Sequence, residues 1–172
     1  MSFPTLSIMV LPAMFFSLAL FGLLLGATIT DVTRFRIPNV IPFGVVCLFL
    51  AKMLVGVEAL PFTSHLLMAL VALLLGFLAF ASGLLGGGDA KLIAALGLWF
   101  GPSMFGSFLT ITGIGGGVFA LLLLLVRRSA PWVSLAAGAA SPSPARYRLL
   151  DPKAPVPYAV PIACAACWLE WH

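Results

Sequence analysis

GLLGGGDAKLIAALGLWFGPS, residues 83–103, sets three consecutive glycines, one aspartate and one lysine directly before an apolar run that a Gly-Pro pair interrupts. After Lys91 the chain carries no charge for 35 residues, Leu92 to Val126. That is too long for one membrane-crossing helix, which needs about 20 residues, and Gly101-Pro102 divides it. The first part, Ala90 to Phe100, is short: its rise of about 16 Å falls well below a hydrocarbon core of about 30 Å. Either it continues past the proline, or the Gly-rich loop before it dips into the membrane. The second part, about Ser103 to Val126, is a full span.

The rest of the chain reads the same way. Of 172 residues, 62% are apolar and 8% charged, with a mean hydropathy of +1.18. A soluble domain carries about a quarter charged residues, so aqueous, disordered, nucleic-acid-binding and disulfide-scaffold classes are all disfavoured. The expected fold is all-α, a polytopic membrane bundle of about six helices forming a single domain over residues 1–172, with no room for a soluble domain. Leu6 to Ala27 is long enough to cross, and the absence of a basic n-region argues for a permanent helix rather than a cleaved signal. Asp31 to Asn39 (DVTRFRIPN) reads as a charged loop, Val40 to Val57 as a second span, Glu58 to Ser64 as a loop and His65 to Ser82 as a third span. Arg127 to Lys153, with five basic residues, reads as a linker before a last span, Ala154 to Trp171, which ends in the interface-type pair Trp168 and Trp171.

Threading the spans alternately puts eight of the nine basic residues on one face. By the positive-inside rule that face is cytoplasmic, which accounts for the net charge of +4 without nucleic acid. Lys52 alone falls outside, where its stem can snorkel. Cys164 and Cys167 form a Cys-x-x-Cys pair without a second ligand pair. In their Ala-rich setting they read as small packing residues rather than a metal or redox site. Gly115 to Gly117 has no polar neighbour and reads as helix packing or a bend.

This threading has a chemical consequence. The chain has five carboxylates, and two of them, Asp31 and Asp89, end or begin spans at the same face. A charge near hydrocarbon costs about 2.5–3.5 kcal/mol on insertion scales, so it normally has a partner or a task. Two carboxylates within a few ångströms share a proton. Such a dyad deprotonates water with one member and protonates a peptide carbonyl with the other. The plainer readings are a solvated loop charge for Asp31 and a helix cap for Asp89.

Gly86-Gly87-Gly88-Asp89-Ala90-Lys91-Leu92 resembles the Gly-x-Gly-Asp-x-Lys pattern of type IV prepilin peptidases. Asp31 followed by Ile37-Pro38-Asn39 resembles their other aspartate motif, and Pro155 to Pro161 resembles the start of their final helix. The resemblance runs from about Thr30 to the last span. It implies an intramembrane aspartic endopeptidase that cuts the leader from type IV prepilins at the cytoplasmic face of the bacterial inner membrane. Asp31 and Asp89 would be the catalytic pair, with Gly86, Gly88, Lys91, Arg34, Arg36, Pro38 and Asn39 as supporting or substrate-binding residues. It implies no cofactor and no metal; the partners are a prepilin and the lipid bilayer. Longer members carry a cytoplasmic insert between the first two spans, often zinc-binding and linked to N-methylation. Its absence here resembles the short, protease-only form that serves Flp-like tight-adherence pili. The rival class is a small transporter subunit using the two aspartates as a proton or cation site, which would favour carboxylates near the midplane.

Overall fold

The computed structural model describes residues 3–56, 61–137 and 154–171. Among them are five helices and no strand: α1 (Phe3–Arg34), α2 (Val40–Val55), α3 (Phe62–Ala81), α4 (Gly87–Ala137) and α5 (Ala159–Trp171). Three stretches are long and apolar enough to cross a membrane: Leu11–Arg34, Phe62–Ala81 and Gly87–Ser129. Helices α2 and α5 are apolar but shorter, with 16 and 13 residues, or about 24 and 20 Å.

The interior is a seam where α1, α2, α4 and α5 meet. Leu20 and Leu24 of α1, Val45 and Phe49 of α2, Leu92 and Leu96 of α4, and Ile162 and Ala166 of α5 are fully buried there. Helix α3 lies against α4 through small residues. A Cβ on Gly76 would come 3.1 Å from that of Ala90, and one on Gly97 would come 3.0 Å from that of Ala72. Lipid tails give no hydrophobic drive for helix pairing, so close backbone approach of this kind does the work. The outward faces carry leucine, valine and phenylalanine, among them Leu67, Leu74, Phe77, Leu121 and Leu125, as a lipid-facing surface requires.

Where about six spans are expected, the structure has five helices, because no loop separates the two parts of α4. One residue, Gly101, leaves the helical region (φ 62°, ψ −173°), a conformation that essentially only glycine adopts. The two arms fold onto each other there. Phe100 and Phe108 stack with centroids 5.4 Å apart, whereas residues eight apart on a straight helix are separated by about 12 Å along the axis. Pro102 has no N–H for the carbonyl of Leu98, four residues back. His65 of α3 supplies the missing donor, its Nδ1–H reaching the Leu98 oxygen at 2.8 Å. Its ring fills the space where a Gly101 side chain would stand, 2.5 Å from a Cβ placed there.

Other boundaries shift for readable reasons. Helix α1 continues through Asp31 to Arg34 rather than giving way to a loop at Asp31. No proline or glycine stands between Asp31 and Pro38, and Thr28, Thr30 and Thr33 bond back to carbonyls of their own helix. Phe35, at φ 51°, ends it with its N–H on the Asp31 carbonyl at 2.8 Å. The 127–153 linker begins later, since α4 runs on to Ala137; residues 138–153 lie outside the described part, as do 57–60 of the Glu58 loop. Helix α5 starts at Ala159 instead of Ala154, because Pro155 and Pro157 keep the intervening backbone out of the helix. Cys164 is exposed rather than packed, and Cys167 is only half-buried. Of the 115–117 glycines, Gly116 alone has a close neighbour, the ring of Tyr158.

Candidate active site

The two aspartates come from two helices of the same seam, α1 and α4. Asp31 occupies the last turn of α1 and is 7% exposed. Its Oδ2 accepts the backbone N–H of Ala159 at 3.0 Å, so the carboxylate caps the first turn of α5, where backbone donors lack helical partners. Asp89 occupies the first turn of α4 and is 9% exposed. Its carboxylate turns back over Gly86, whose backbone amide faces it, in the manner of a capping residue reaching the start of its own helix. A Cβ on Gly86 would stand 2.6 Å from Oδ2, so the glycine makes room for the acid. Asp31 and Asp89 are close enough for their charges to repel each other. Oδ1 of Asp89 is buried with no hydrogen-bond partner among the described residues, a costly condition that marks a site with spare capacity for a donor.

Two contacts draw the motifs together. A Cβ on Gly88 would fall 3.0 Å from Cβ of Ile37 and 3.4 Å from its backbone N and O. The α1–α2 connection therefore lies close against the start of α4, and a side chain at position 88 would push it away by a few tenths of an ångström. Lys91 Nζ donates to Asn39 Oδ1 at 3.0 Å, tying α4 to the start of α2. Asn39 thus serves Lys91 rather than capping α2, for which its side chain makes no bond. The Pro38 carbonyl accepts the Ile41 N–H at 3.1 Å and opens the first turn. Arg34 and Arg36 are exposed at the same end.

Several residues at or near the seam carry no motif. Ala159 acts through its backbone amide, which no side-chain pattern announces. A second polar cluster lies at the other end of α4's first arm. Trp99 Nε1–H donates to Glu170 Oε2 at 2.8 Å, and Ser17 Oγ donates to Glu170 Oε1 at 2.6 Å. Lys52 does not snorkel outward. It is buried, with its ammonium 5.0 Å from the centroid of the Trp99 ring, because an aromatic face attracts a desolvated cation. His65 stacks on Phe49 at 5.4 Å beside it. The hint in the sequence was three charged or polar residues, Lys52, His65 and Glu170, within otherwise apolar helices.

A sequence model of the type IV leader peptidase family matches residues 18–121. The match begins within α1, earlier than the Thr30 expected from the motifs. It takes in both aspartates and ends in the second arm of α4, short of α5. No curated protein and no solved structure matches the chain. With more than half of its length matched, and both acidic motifs inside that part, the chain belongs to the type IV leader peptidase family.

Proposed function

We propose that this membrane protein, a peptidase acting on prepilin-type precursors by its family, is an aspartic endopeptidase using Asp31 and Asp89 as its catalytic pair. The observation that carries this reading is two buried carboxylates from different helices, near enough to repel, one with an oxygen left unpartnered. Water held between them gives a proton to Asp31, and its oxygen attacks the scissile carbonyl. Asp89 delivers a proton to the carbonyl oxygen, and collapse of the tetrahedral intermediate passes a proton to the leaving amine. The Ala159 amide on Asp31 suits the base of the pair. The open Oδ1 of Asp89 suits the acid that must reach a substrate atom.

Residues 1–172 form one transmembrane peptidase domain in this reading, with the two arms of α4 counting as separate spans, six in all. The motif end faces the cytoplasm of a bacterial inner membrane, where Arg34, Arg36 and Lys91 meet the precursor or lipid headgroups. Only residues 35–39 join α1 to α2, which leaves no space for a zinc-binding insert and favours the short form acting on Flp-like pilin or pseudopilin precursors. Both carboxylates stand in terminal helix turns rather than at mid-helix, which disfavours the transporter alternative. The test is cleavage of a prepilin-type precursor by purified protein, with the new N-terminus mapped. Asp31→Asn and Asp89→Asn should each reduce the rate by about three orders of magnitude or more while leaving insertion intact. Near wild-type cleavage by either variant overturns the dyad.

A further inference from the structure

Arg127 enters the sequence reading only as one more basic residue, and it lies beyond the part of the chain matched to the family. The structure gives it a specific place. On the second arm of α4 it is 4% exposed. Its Nη1 donates to the Ala154 carbonyl at 2.8 Å and its Nη2 to the Pro155 carbonyl at 3.1 Å. A planar guanidinium can hold two oxygens in one fixed orientation, which an ammonium cannot. The two carbonyls belong to a strap, residues 154–158, that Pro155 and Pro157 keep out of helical geometry and that needs outside donors. Further along, Pro157 is fully buried. The Tyr158 ring rests against α4, 3.0 Å from where a Cβ on Gly116 would be. The next residue is Ala159, whose N–H meets Asp31.

One short strap therefore connects a buried cation at its start to a buried carboxylate at its end. We propose that Arg127 is a positioning residue for Asp31: by fixing the Ala154 and Pro155 carbonyls it sets the strap so that the Ala159 amide reaches the carboxylate. Arg127 acts on Asp31 through the backbone of the strap. The proposal rests on the reading of Asp31 as catalytic, and the experiment separates the two.

Full-length Arg127→Ala and Arg127→Lys proteins are compared with wild type in two measurements. In steady-state cleavage of a prepilin-type precursor, Arg127→Ala lowers kcat by about 10- to 100-fold, as displacement of a catalytic group does, with KM unchanged within about twofold. Arg127→Lys recovers part of that loss, since it reaches one carbonyl at a time. In hydrogen exchange read by mass spectrometry, the peptide holding Ala159 loses protection in Arg127→Ala and equally in Asp31→Ala, which removes the acceptor. A peptide within α3, which general loosening would also affect, stays protected. Wild-type kcat in Arg127→Ala, or unchanged protection at Ala159, overturns the proposal. If wild type cleaves no precursor but Ala159 still loses protection in both variants, the catalytic reading falls while the link from Arg127 to Asp31 stands. Should Arg127→Ala fail to fold, Arg127→Lys carries both readings with smaller amplitude.

Discussion

The first arm of α4 has a polar cluster at each end, and the two differ in how fully they are satisfied. At the Trp99 end, both Glu170 oxygens accept bonds, from Trp99 and Ser17, and the His65 Nδ1–H meets the carbonyl that Pro102 leaves open. At the Asp89 end, two acids lie near each other and one buried oxygen has no partner among the described residues. Both clusters join α1, α4 and α5, and both occupy a setting where an unmatched polar atom is expensive. A saturated cluster fastens helices together. An unsaturated one costs stability and is kept for what it can bind.

The contrast can be broken or sharpened by substitution. Gly101→Ala should have the largest effect. It forces a side chain into a glycine-only conformation and into the His65 ring, costing about 1–3 kcal/mol for each. Thermal unfolding in detergent should show a large drop in midpoint, with cleavage falling only in step with the folded fraction. Next comes Glu170→Gln, which replaces a charged double acceptor and should cost about 1.5–3 kcal/mol while kcat of the folded protein stays within about twofold. If Glu170→Gln instead removed cleavage at unchanged stability, the far cluster would be chemical and the contrast would collapse. Lys91→Ala should be the mildest, slowing cleavage about two- to fivefold by loosening the join to Asn39. Asn39→Ala should match it, and the double variant should add little, because both remove one bond.

Hydropathy made the all-helical membrane fold legible, and the Gly-Pro pair marked where α4 bends. It could not show that the bend occupies one residue, because that depends on His65 arriving from another helix to satisfy Leu98. Asp31 and Asp89 stood out because charge is scarce in this chain and both fell at span ends. Asp, Thr and Arg resemble loop composition, yet α1 holds until Phe35 turns its backbone. The stem length of Lys52 suggests snorkelling, yet the Trp99 face lies within reach on the inside. Arg127 and Ala159 were invisible as a pair, since they communicate through backbone carbonyls and an amide.

Helix α2, at about 24 Å for 16 residues closed by a left-handed Gly56, is shorter than a typical hydrocarbon core. A bilayer of about 30 Å meets such a mismatch by thinning locally, drawing headgroups and their hydration inward. Asn39, at the start of this helix, accepts from Lys91, two residues beyond Asp89. In the proposed reading, thinning along α2 brings solvent nearer to the acidic pair on the side of Asn39. A hydrolase of the proposed kind needs a supply of its second substrate, and a short α2 offers one without a channel.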